Sequence, residues 1–578
     1  MNIKYIIKKD IEQALSKISD KNYKPLIMLT KNSKFGHYQV NNLIKISNSF
    51  NIKPNDLFEK IILFFKKNYM YEKINFSEPG FINIFINSSW LSEELEKIFF
   101  SPRLGIKRFS PKNIIVDYSA PNIAKEMHIG HLRSTIIGDV MARTLEFLGH
   151  NVIRANHIGD WGTQFGILIA YLKYEKLINK LQNNLLTLKD LEHIYCKSKN
   201  KYDSDEFFSK KSREYVVKLQ NGDKKCHSIW KKLVYITMNE NYKIYKKLNV
   251  TLKKEHTMGE STYKKMLLKI VQDLKRKKIA IEKNGTTIVY LDEFKNKSGN
   301  SMGVIVQKRD KGFLYSTTDI ACLKYRYEKL HADRVIYYID SRQHQHLLQV
   351  WIIAKKANYI PENLLLEHHM FGMMLSKNKR PFKTRDGNTI KLSDFLNEAI
   401  NRAKKLILTK KPHLTHKKII KLANTIGISA IKYADLSKNR STNYIFDWDK
   451  MINFEGNTAP YIQYAYTRIM SILKKSTISI HKLKQKVLLN KPSEINLAIK
   501  ILEFEEIILL IADKGTPHVM CKYLYELATY FSNFYEECSI LFCKKIKICK
   551  SRLKLSFLTA RTLKKGLNIL GIKTVKKM

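Results

Sequence analysis

A strand-to-helix junction near residue 130 constrains this 578-residue chain more than any other feature. Ile114, Ile115 and Val116 form a β-branched run that is typical of a buried strand. Downstream, apolar residues recur at helical spacing, at Leu132, Ile136, Val140, Leu145 and Leu148. His128-Ile-Gly-His131 stands between the two patterns. The junction therefore predicts that both histidines lie at the N-terminus of a helix.

Such a helix start is suited to a phosphate, because its free N–H groups and positive dipole end favour an anion. Gly130 has no Cβ and lets a ring or a phosphate approach the backbone. His128 and His131 can donate hydrogen bonds to charge that develops on a reacting phosphate. A metal-binding pair and two ordinary surface histidines are the alternatives, but no nearby cysteine or ligand-spaced third residue favours a metal. Since GxxxxGK[ST] and GxGxxG are both missing, the junction is the predicted nucleotide site.

Length, charge and cysteine content limit the possible classes of protein. The chain is too long for one core, and three or four domains are expected. No apolar stretch approaches the ~18 residues of a membrane span, and the N-terminus does not resemble a secretory signal. Seven scattered cysteines without a CxxC pair predict neither a zinc site nor a disulfide framework, which favours the cytoplasm. The net charge of +51 favours a polyanionic partner, although a coding bias towards Lys, Ile and Asn explains it equally well.

The patterns predict an α/β protein with three domains. Residues 1–105 form an α+β domain with a helix near Ile6 to Ile18 and a strand from Gly80 to Ile86 that has one wet face. Residues 106–445 contain two βα halves separated by a Lys-rich insertion near 180–300. This arrangement predicts a Rossmann-type, doubly wound parallel sheet. Residues 446–578 are predicted to be all-α.

The segments SAPNIAKEMHIGHLRS and NHIGDWGTQFG (156–166) resemble the class I aminoacyl-tRNA synthetases, and specifically the bacterial arginyl-tRNA synthetases. Four further segments agree in the right order: LYSTTDIA (314–321), DSRQHQHLLQ (340–349), EHHMFGMMLSKNKRPFKTRDG (367–387) and KYADLSKNRSTNYIFDWDKM (432–451). The resemblance implies that arginine is activated with ATP to arginyl-adenylate, with release of pyrophosphate. Arginine is then transferred to the 3′ end of tRNA(Arg).

The resemblance also implies domain roles and partners. The N-terminal domain contacts the tRNA elbow, and the C-terminal helices, from EGNTAPYIQYAYTRI onwards, bind the anticodon. The expected partners are tRNA(Arg), L-arginine and ATP with Mg²⁺, with no protein-bound metal, no organic cofactor and no membrane. A cytoplasmic monomer is expected. Tyr461, Tyr464 and Tyr466 either stack on unpaired bases or belong to a helical core.

Recognition of arginine requires carboxylates, because a guanidinium is planar, charged and fork-shaped. The resemblance places Asp117 and Asp319 near that group, with Tyr315 one helical turn before Asp319. It also implies that Asn122 and Gln343 hold the amino and carboxylate groups of arginine. Without the resemblance, a strand-end cap and a solvated helix-start acid explain the two aspartates better.

ATP binding and catalysis are assigned by the same resemblance. The catalytic residues are His128, His131 and Lys125, and the ATP-binding residues are Lys125, His128, Gly130, His131, Phe371, Gly372, Met373, Lys383, Thr384 and Arg385. The junction motif comprises Asn122, Ile123, Ala124, Lys125, Glu126, Met127, His128, Ile129, Gly130, His131 and Leu132.

The sequence departs from the class pattern at the second motif, KMSKS. Here Pro381-Phe-Lys-Thr-Arg385 occupies that place, so Thr384 replaces the expected second lysine. Many arginyl enzymes share this departure, and a lysine just before HxGH is thought to compensate. That residue is Lys125, which we expect to face the phosphates with assistance from Lys383 and Arg385. An exposed loop lysine is the structural alternative.

Two other functions compete with an arginyl enzyme. One is a class I synthetase for another amino acid, or another HxGH nucleotidyltransferase. Asp117 and Asp319 argue against an apolar substrate, because a buried unpaired carboxylate costs several kcal/mol. The long helical C-terminal region argues against a small adenylyl transferase. The other is a non-catalytic RNA-binding relative, which the intact histidines and Lys125 disfavour.

Overall fold

The computed structural model describes residues 2–30, 32–65, 68–295, 298–380, 382, 389–476, 478–479, 483, 485–543 and 545–575. The helices in this part of the chain are α1 (Ile3–Ser16), α2 (Leu43–Asn48), α3 (Pro54–Ile62), α4 (Ser88–Phe100), α5 (Gly130–Leu148), α6 (Thr163–Tyr174), α7 (Ile178–Gln182), α8 (Leu188–Ser204), α9 (Glu206–Gln220), α10 (Lys224–Lys247), α11 (Lys264–Arg276), α12 (Tyr315–Glu328), α13 (His344–Lys356), α14 (Leu392–Lys410), α15 (His416–Leu436), α16 (Trp448–Met451), α17 (Ala459–Lys475), α18 (Pro492–Leu502), α19 (Phe504–Lys514), α20 (His518–Glu537) and α21 (Ile546–Ile569). None of them is long and apolar enough to cross a membrane.

The strands form four sheets. They are β1 (Ile27–Leu29), β2 (Tyr38–Val40), β3 (Tyr71–Ser77), β4 (Phe81–Ile86), β5 (Asn113–Asp117), β6 (Asn151–Ile158), β7 (Thr257–Gly259), β8 (Ala280–Lys283), β9 (Thr286–Lys295), β10 (Ser301–Gln307), β11 (Arg334–Tyr337), β12 (Leu365–His368), β13 (Met374–Leu375) and β14 (Tyr444–Ile445). The chain divides into two compact units, one made from its two ends and one from its middle.

The first unit combines Met1–Arg108 with Asn453–Ile569 and Lys573–Met578. Its antiparallel sheet has the order β1-β2-β4-β3. Strand β4 corresponds to the predicted strand but has no simple wet face. Asn83 is buried there, because its amide group is hydrogen-bonded to Gln39 and Ser77.

Helices α17 to α21 form the C-terminal part of the first unit. Their apolar faces supply its core, as the amphipathic pattern predicts. Tyr466 is buried, Tyr461 lies 5.5 Å from the ring of Tyr525, and Tyr464 is exposed. Tyr466 is therefore a core residue, and of these three tyrosines only Tyr464 has a largely exposed ring.

The second unit combines Phe109–Ile452 with Leu570–Ile572. Its central sheet is entirely parallel, with the order β12-β11-β5-β6-β7. Ile114, Ile115 and Val116 of β5 are all buried, as expected for a strand covered on both faces. The predicted parallel α/β sheet is confirmed.

The Lys-rich insertion contributes strands to two of the three sheets of the second unit. Most of it is helical, and β8, β9 and β10 form a separate antiparallel sheet with the order β10-β9-β8. Strand β7 joins the edge of the central parallel sheet beside β6. The insertion is thus part of the fold that carries the site, which its composition did not reveal.

Candidate active site

The carboxyl ends of the parallel strands meet at one edge of the central sheet. There β5 leads into the His128 loop, β7 into Glu260 and β11 into the turn that ends at Gln343. The chain proceeds from β5 to β6 and β7 on one side and to β11 and β12 on the other. Ligands of open α/β sheets bind in the crevice at such a reversal of strand order.

The loop between β5 and α5 is held in a strained conformation. Ser119 and Ala124 adopt left-handed backbone angles, with φ of 79° and 59°. Side chains of α10 hold both residues: Tyr245 Oη lies 2.7 Å from Ser119 Oγ, and Thr237 Oγ1 accepts from the Ala124 N–H at 3.0 Å. Strain that is fixed by surrounding contacts is typical of a functional site.

The two histidines are oriented by the backbone. The Gly130 N–H donates to His128 Nδ1 at 3.1 Å, and the His128 N–H donates to His131 Nδ1 at 3.1 Å. A neutral imidazole whose Nδ1 accepts carries its proton on Nε2. A Cβ on Gly130 would lie only 2.8 Å from His128 Cε1, so glycine also leaves room for that ring.

Both imidazoles are neutral near pH 7. Burial, reinforced by His128, lowers the pKa of His131 to about 3. Burial and the charge of Lys125 lower the pKa of His128. His128, whose Nδ1 accepts from Gly130, therefore offers an Nε2–H donor beside the start of α5, which carries no side-chain cap. The Nδ1 of His131 also lies 3.3 Å from the His128 carbonyl oxygen.

The residues just before His128 are held by charged and aromatic groups. Lys125 is half-buried, and its Nζ lies 4.3 Å from the ring centroid of Tyr195. Glu126 forms an ion pair with Lys391. Five apolar members of the junction motif are buried and anchor it to the core: Ile123, Ala124, Met127, Ile129 and Leu132.

The segment after β12 lies against α5. Arg133, buried in α5 and paired with Asp435 at 3.2 Å, donates through Nη1 to the Gly372 carbonyl at 2.6 Å. Phe371 is half-buried and Met373 is exposed. The structure thus brings the 371–373 segment beside the histidine helix. Lys383, Thr384 and Arg385 lie outside the described residues, and their role stays a prediction.

Asp319 and Tyr315 occupy the first two turns of α12, one turn apart as predicted. Asp319 Oδ2 accepts from His346 Nε2 at 2.6 Å, and its Oδ1 lies 3.7 Å from His157 Nε2. The hydrogen bond to Asp319 raises the pKa of His346. Burial lowers the pKa of His157, but Cys322, Asp117 and Asp319 outweigh burial and raise it to about 10.

Glu260 is a second carboxylate at this site that the sequence did not suggest. Burial, together with Asp319 and Asp160, raises its pKa to about 8, although His157 opposes the shift. Burial, followed by Glu260, also raises the pKa of Tyr315. A carboxyl group whose pKa lies near neutral pH, next to the carboxylate of Asp319, is suited to binding a cation.

Asp117 lies at the end of β5 and is buried. Its Oδ2 accepts from Arg326 Nη2, and the ion pair is inaccessible to solvent. Among the described residues, Asp117 Oδ1 and Arg326 Nε and Nη1 have no hydrogen-bond partner. The structure therefore gives Asp117 a protein counter-ion, whereas Asn122 and Gln343 have exposed side chains at the crevice edge.

Several residues of the site were not identified from the sequence. His157 and His346 stood within the quoted segments, but their pattern alone did not indicate that both face Asp319. Glu260 follows a three-residue strand in a Lys-rich region and has no motif around it. Among the described residues, no group of three or more His, Cys, Asp or Glu side chains is arranged to hold a metal ion.

Three features are combined in this chain: a parallel sheet, two neutral histidines on the helix that begins where the strand order reverses, and a helical C-terminal region. Together they are typical of a class I aminoacyl-tRNA synthetase. Family comparisons agree over three stretches. The family described as "tRNA synthetases class I (R), catalytic domain" matches residues 94–448. "Arginyl tRNA synthetase N terminal domain" matches residues 5–86, and "DALR anticodon binding domain" matches residues 462–578.

Full-length relatives identify the particular protein family. An arginine–tRNA ligase of Buchnera aphidicola subsp. Schizaphis graminum is 73% identical, and one of Pectobacterium atrosepticum is 54% identical, each with 100% of both chains covered. The crystal structure of arginyl-tRNA synthetase from Plasmodium falciparum is 33% identical, with a TM-score of 0.85 over 99% of each chain. The chain belongs to the arginyl-tRNA synthetase family.

Proposed function

We propose that this site activates L-arginine with ATP and transfers it to the 3′ end of tRNA(Arg). In the first step, an arginine carboxylate oxygen attacks the α-phosphorus of ATP. The bond to the bridging oxygen breaks, giving arginyl-adenylate and pyrophosphate. The observation that carries this proposal is that two neutral histidines at the start of α5 and two carboxylates, Asp319 and Glu260, lie at the same edge of the central sheet.

On the nucleotide side, His128 and His131 donate to phosphate oxygens as negative charge develops on them. Gly130 keeps the helix start open, and Lys125 supplies a cation next to His128. The proposed ATP site also includes Phe371, Gly372 and Met373 and, from the segment outside the described residues, Lys383, Thr384 and Arg385. ATP enters as its Mg²⁺ complex, with the cation belonging to the substrate.

On the amino-acid side, Asp319 and Glu260 face the guanidinium, and Tyr315 borders it. A planar five-donor cation matches two carboxylates better than an ammonium does. Asp117, fixed by its buried ion pair with Arg326, stays in the proposed arginine site and helps to raise the pKa of His157. Asn122 and Gln343, at the edge of the crevice, hold the amino and carboxylate groups of arginine.

The remaining assignments are also proposals. We place domain boundaries after residues 105 and 445, with an elbow-contacting N-terminal domain and an anticodon-binding C-terminal domain. We also propose a monomer, because arginyl-tRNA synthetases are mostly monomeric. A cytoplasmic location suits its seven free thiols.

ATP–pyrophosphate exchange with each amino acid, with and without tRNA(Arg), tests the proposal. We expect exchange with arginine only, and only when the tRNA is present. Exchange with another amino acid, or no exchange at all, would contradict it. Replacing Lys125 by alanine should lower the turnover of exchange, and near-normal turnover would remove Lys125 from the phosphate site.

Asp319→Asn tests the amino-acid side. We expect the arginine KM to rise roughly ten- to a hundredfold, because a charge-assisted hydrogen bond to the guanidinium is lost. The ATP KM should stay within about twofold, since the histidines that Asp319 contacts are His157 and His346 and not the proposed phosphate donors. Unchanged arginine kinetics would place Asp319 outside the pocket.

A further inference from the structure

Helix α8 of the insertion reaches the loop that precedes the histidines. The ring of Tyr195 lies under the ammonium of Lys125, with 4.3 Å between Nζ and the ring centroid. One turn earlier, Glu192 Oε2 lies 3.0 Å from Lys391 Nζ, and Lys391 also pairs with Glu126. Two adjacent loop residues are thus tied to the same helix, one directly and one through Lys391.

We infer that Tyr195 is a positioning residue for ATP: its ring holds the Lys125 ammonium beside His128, where it faces the phosphates. The inference rests on the proposed function and deepens it by assigning a role to the insertion. A lysine has a flexible four-carbon stem, and ordering that stem opposes binding. An aromatic face that holds the ammonium in advance reduces this cost.

The groups around Lys125 leave its ammonium available for a phosphate. Burial of His128, reinforced by the charge of Lys125, lowers the pKa of His128, so the ring stays neutral beside that charge. Glu126, the nearest acid in the sequence, is already paired with Lys391. Tyr195 itself is half-buried against the apolar cluster of the insertion, which fixes the position of its ring.

Tyr202 provides a matched control on the same helix. It is a half-buried tyrosine packed against the same apolar cluster, and Lys199 lies over its ring at 5.3 Å. Lys199, however, pairs with Asp203 on the outer face of α8 and does not belong to the histidine loop. Loss of either ring removes similar packing, but only Tyr195 contacts Lys125.

The test measures the ATP KM in arginine-dependent exchange with tRNA(Arg) present. We expect Tyr195→Leu to raise it about three- to tenfold, as loss of one cation–π contact implies. The arginine KM should rise less than the ATP KM, because Tyr195 acts on Tyr315 only through its charge. Tyr195→Phe, which keeps the ring, and Tyr202→Leu should both stay within about twofold of the parent. Thermal melting of the two leucine variants shows whether both remain folded to the same degree.

A second background distinguishes positioning from packing. In a Lys125→Met protein, Tyr195→Leu should cause no further rise in the ATP KM. An equal rise in that background would overturn the inference, as would a fall in the ATP KM in the Tyr195→Leu single variant. Failure of the proposed function is distinct, because the parent protein would then show no arginine-dependent exchange.

Discussion

At the scale of single residues, arginine binding depends on the protonation of two acids, Asp319 and Glu260, and of the histidines that contact Asp319. Asp319 is hydrogen-bonded to His346, and Glu260 stays largely protonated at neutral pH because its pKa is about 8. A bound guanidinium favours the charged carboxylate and competes with a protonated histidine for Asp319. The titration of Glu260 predicts that arginine binds more tightly as the pH rises through about 8.

Glu260→Gln tests this linkage. In the parent protein, the arginine KM should fall between about pH 6.5 and 8.5 and then level off, because binding releases the proton of Glu260. The glutamine variant should have a higher KM at pH 8.5 and a flatter profile. The ATP KM, followed over the same range, serves as the control. A parent-like profile in the variant would show that a group other than Glu260 causes the pH dependence.

The sequence allowed prediction of some of these residues and not of others. His128 and His131 could be predicted because the strand, glycine and helix signals around them are local. Glu260 could not, since its position depends on a short strand, β7, pairing with a distant β6. The counter-ion of Asp117 was equally hidden, because Arg326 stands 209 residues away in the chain.

At the scale of elements, the insertion is a support for the histidine loop. Helix α10 supplies Thr237 and Tyr245 to the strained residues, and α8 supplies Tyr195. The Lys-rich composition of the insertion did not indicate this role. Which side of each helix meets the loop depends on tertiary packing, so the pattern of the sequence alone did not reveal it.

Tyr245→Phe tests this support. The hydroxyl lies 2.7 Å from Ser119 Oγ and accepts from Asn156 Nδ2 at 3.2 Å. Its loss should lower the free energy of unfolding by about 1–2 kcal/mol. The turnover of exchange should also fall, because Ser119 is then less well held in its left-handed conformation. Denaturant unfolding and exchange kinetics measure the two effects.

Tyr523→Phe is the control for that substitution. Tyr523 is also fully buried, and its hydroxyl donates to the Lys500 carbonyl at 2.9 Å in the other compact unit. We expect a similar loss of stability with little change in turnover. If both variants lose turnover equally, the effect of Tyr245 is one of general stability.

At the scale of the whole molecule, the two ends of the chain are joined by buried charge. Lys554 of α21 is fully buried and pairs with Glu96 of α4, 458 residues away. Its Nζ also donates to the Gln485 carbonyl at 2.9 Å. The sequence predicted that residues 446–578 are helical, but its patterns carry no signal for a contact between such distant segments.

Glu96→Ala should therefore destabilise the first unit by about 3 kcal/mol, because it leaves a buried ammonium without its counter-ion. Lys554→Met should cost less, since it removes the buried charge itself and Glu96 remains partly accessible to water. Denaturant unfolding measures the free energy of unfolding of each variant and shows which one is less stable. A larger loss for Lys554→Met would show that the ion pair itself stabilises the unit.

The joining of both chain ends in one unit also affects synthesis on the ribosome. The first 108 residues emerge early, but their partner helices begin only after Asn453. At about 5–20 residues per second, the N-terminal segment waits roughly 20–70 seconds for that surface. During this interval its packing face is exposed to the cell. A nascent chain that stalls before residue 453 is expected to recruit chaperones through its N-terminus, even though the catalytic sheet is already translated.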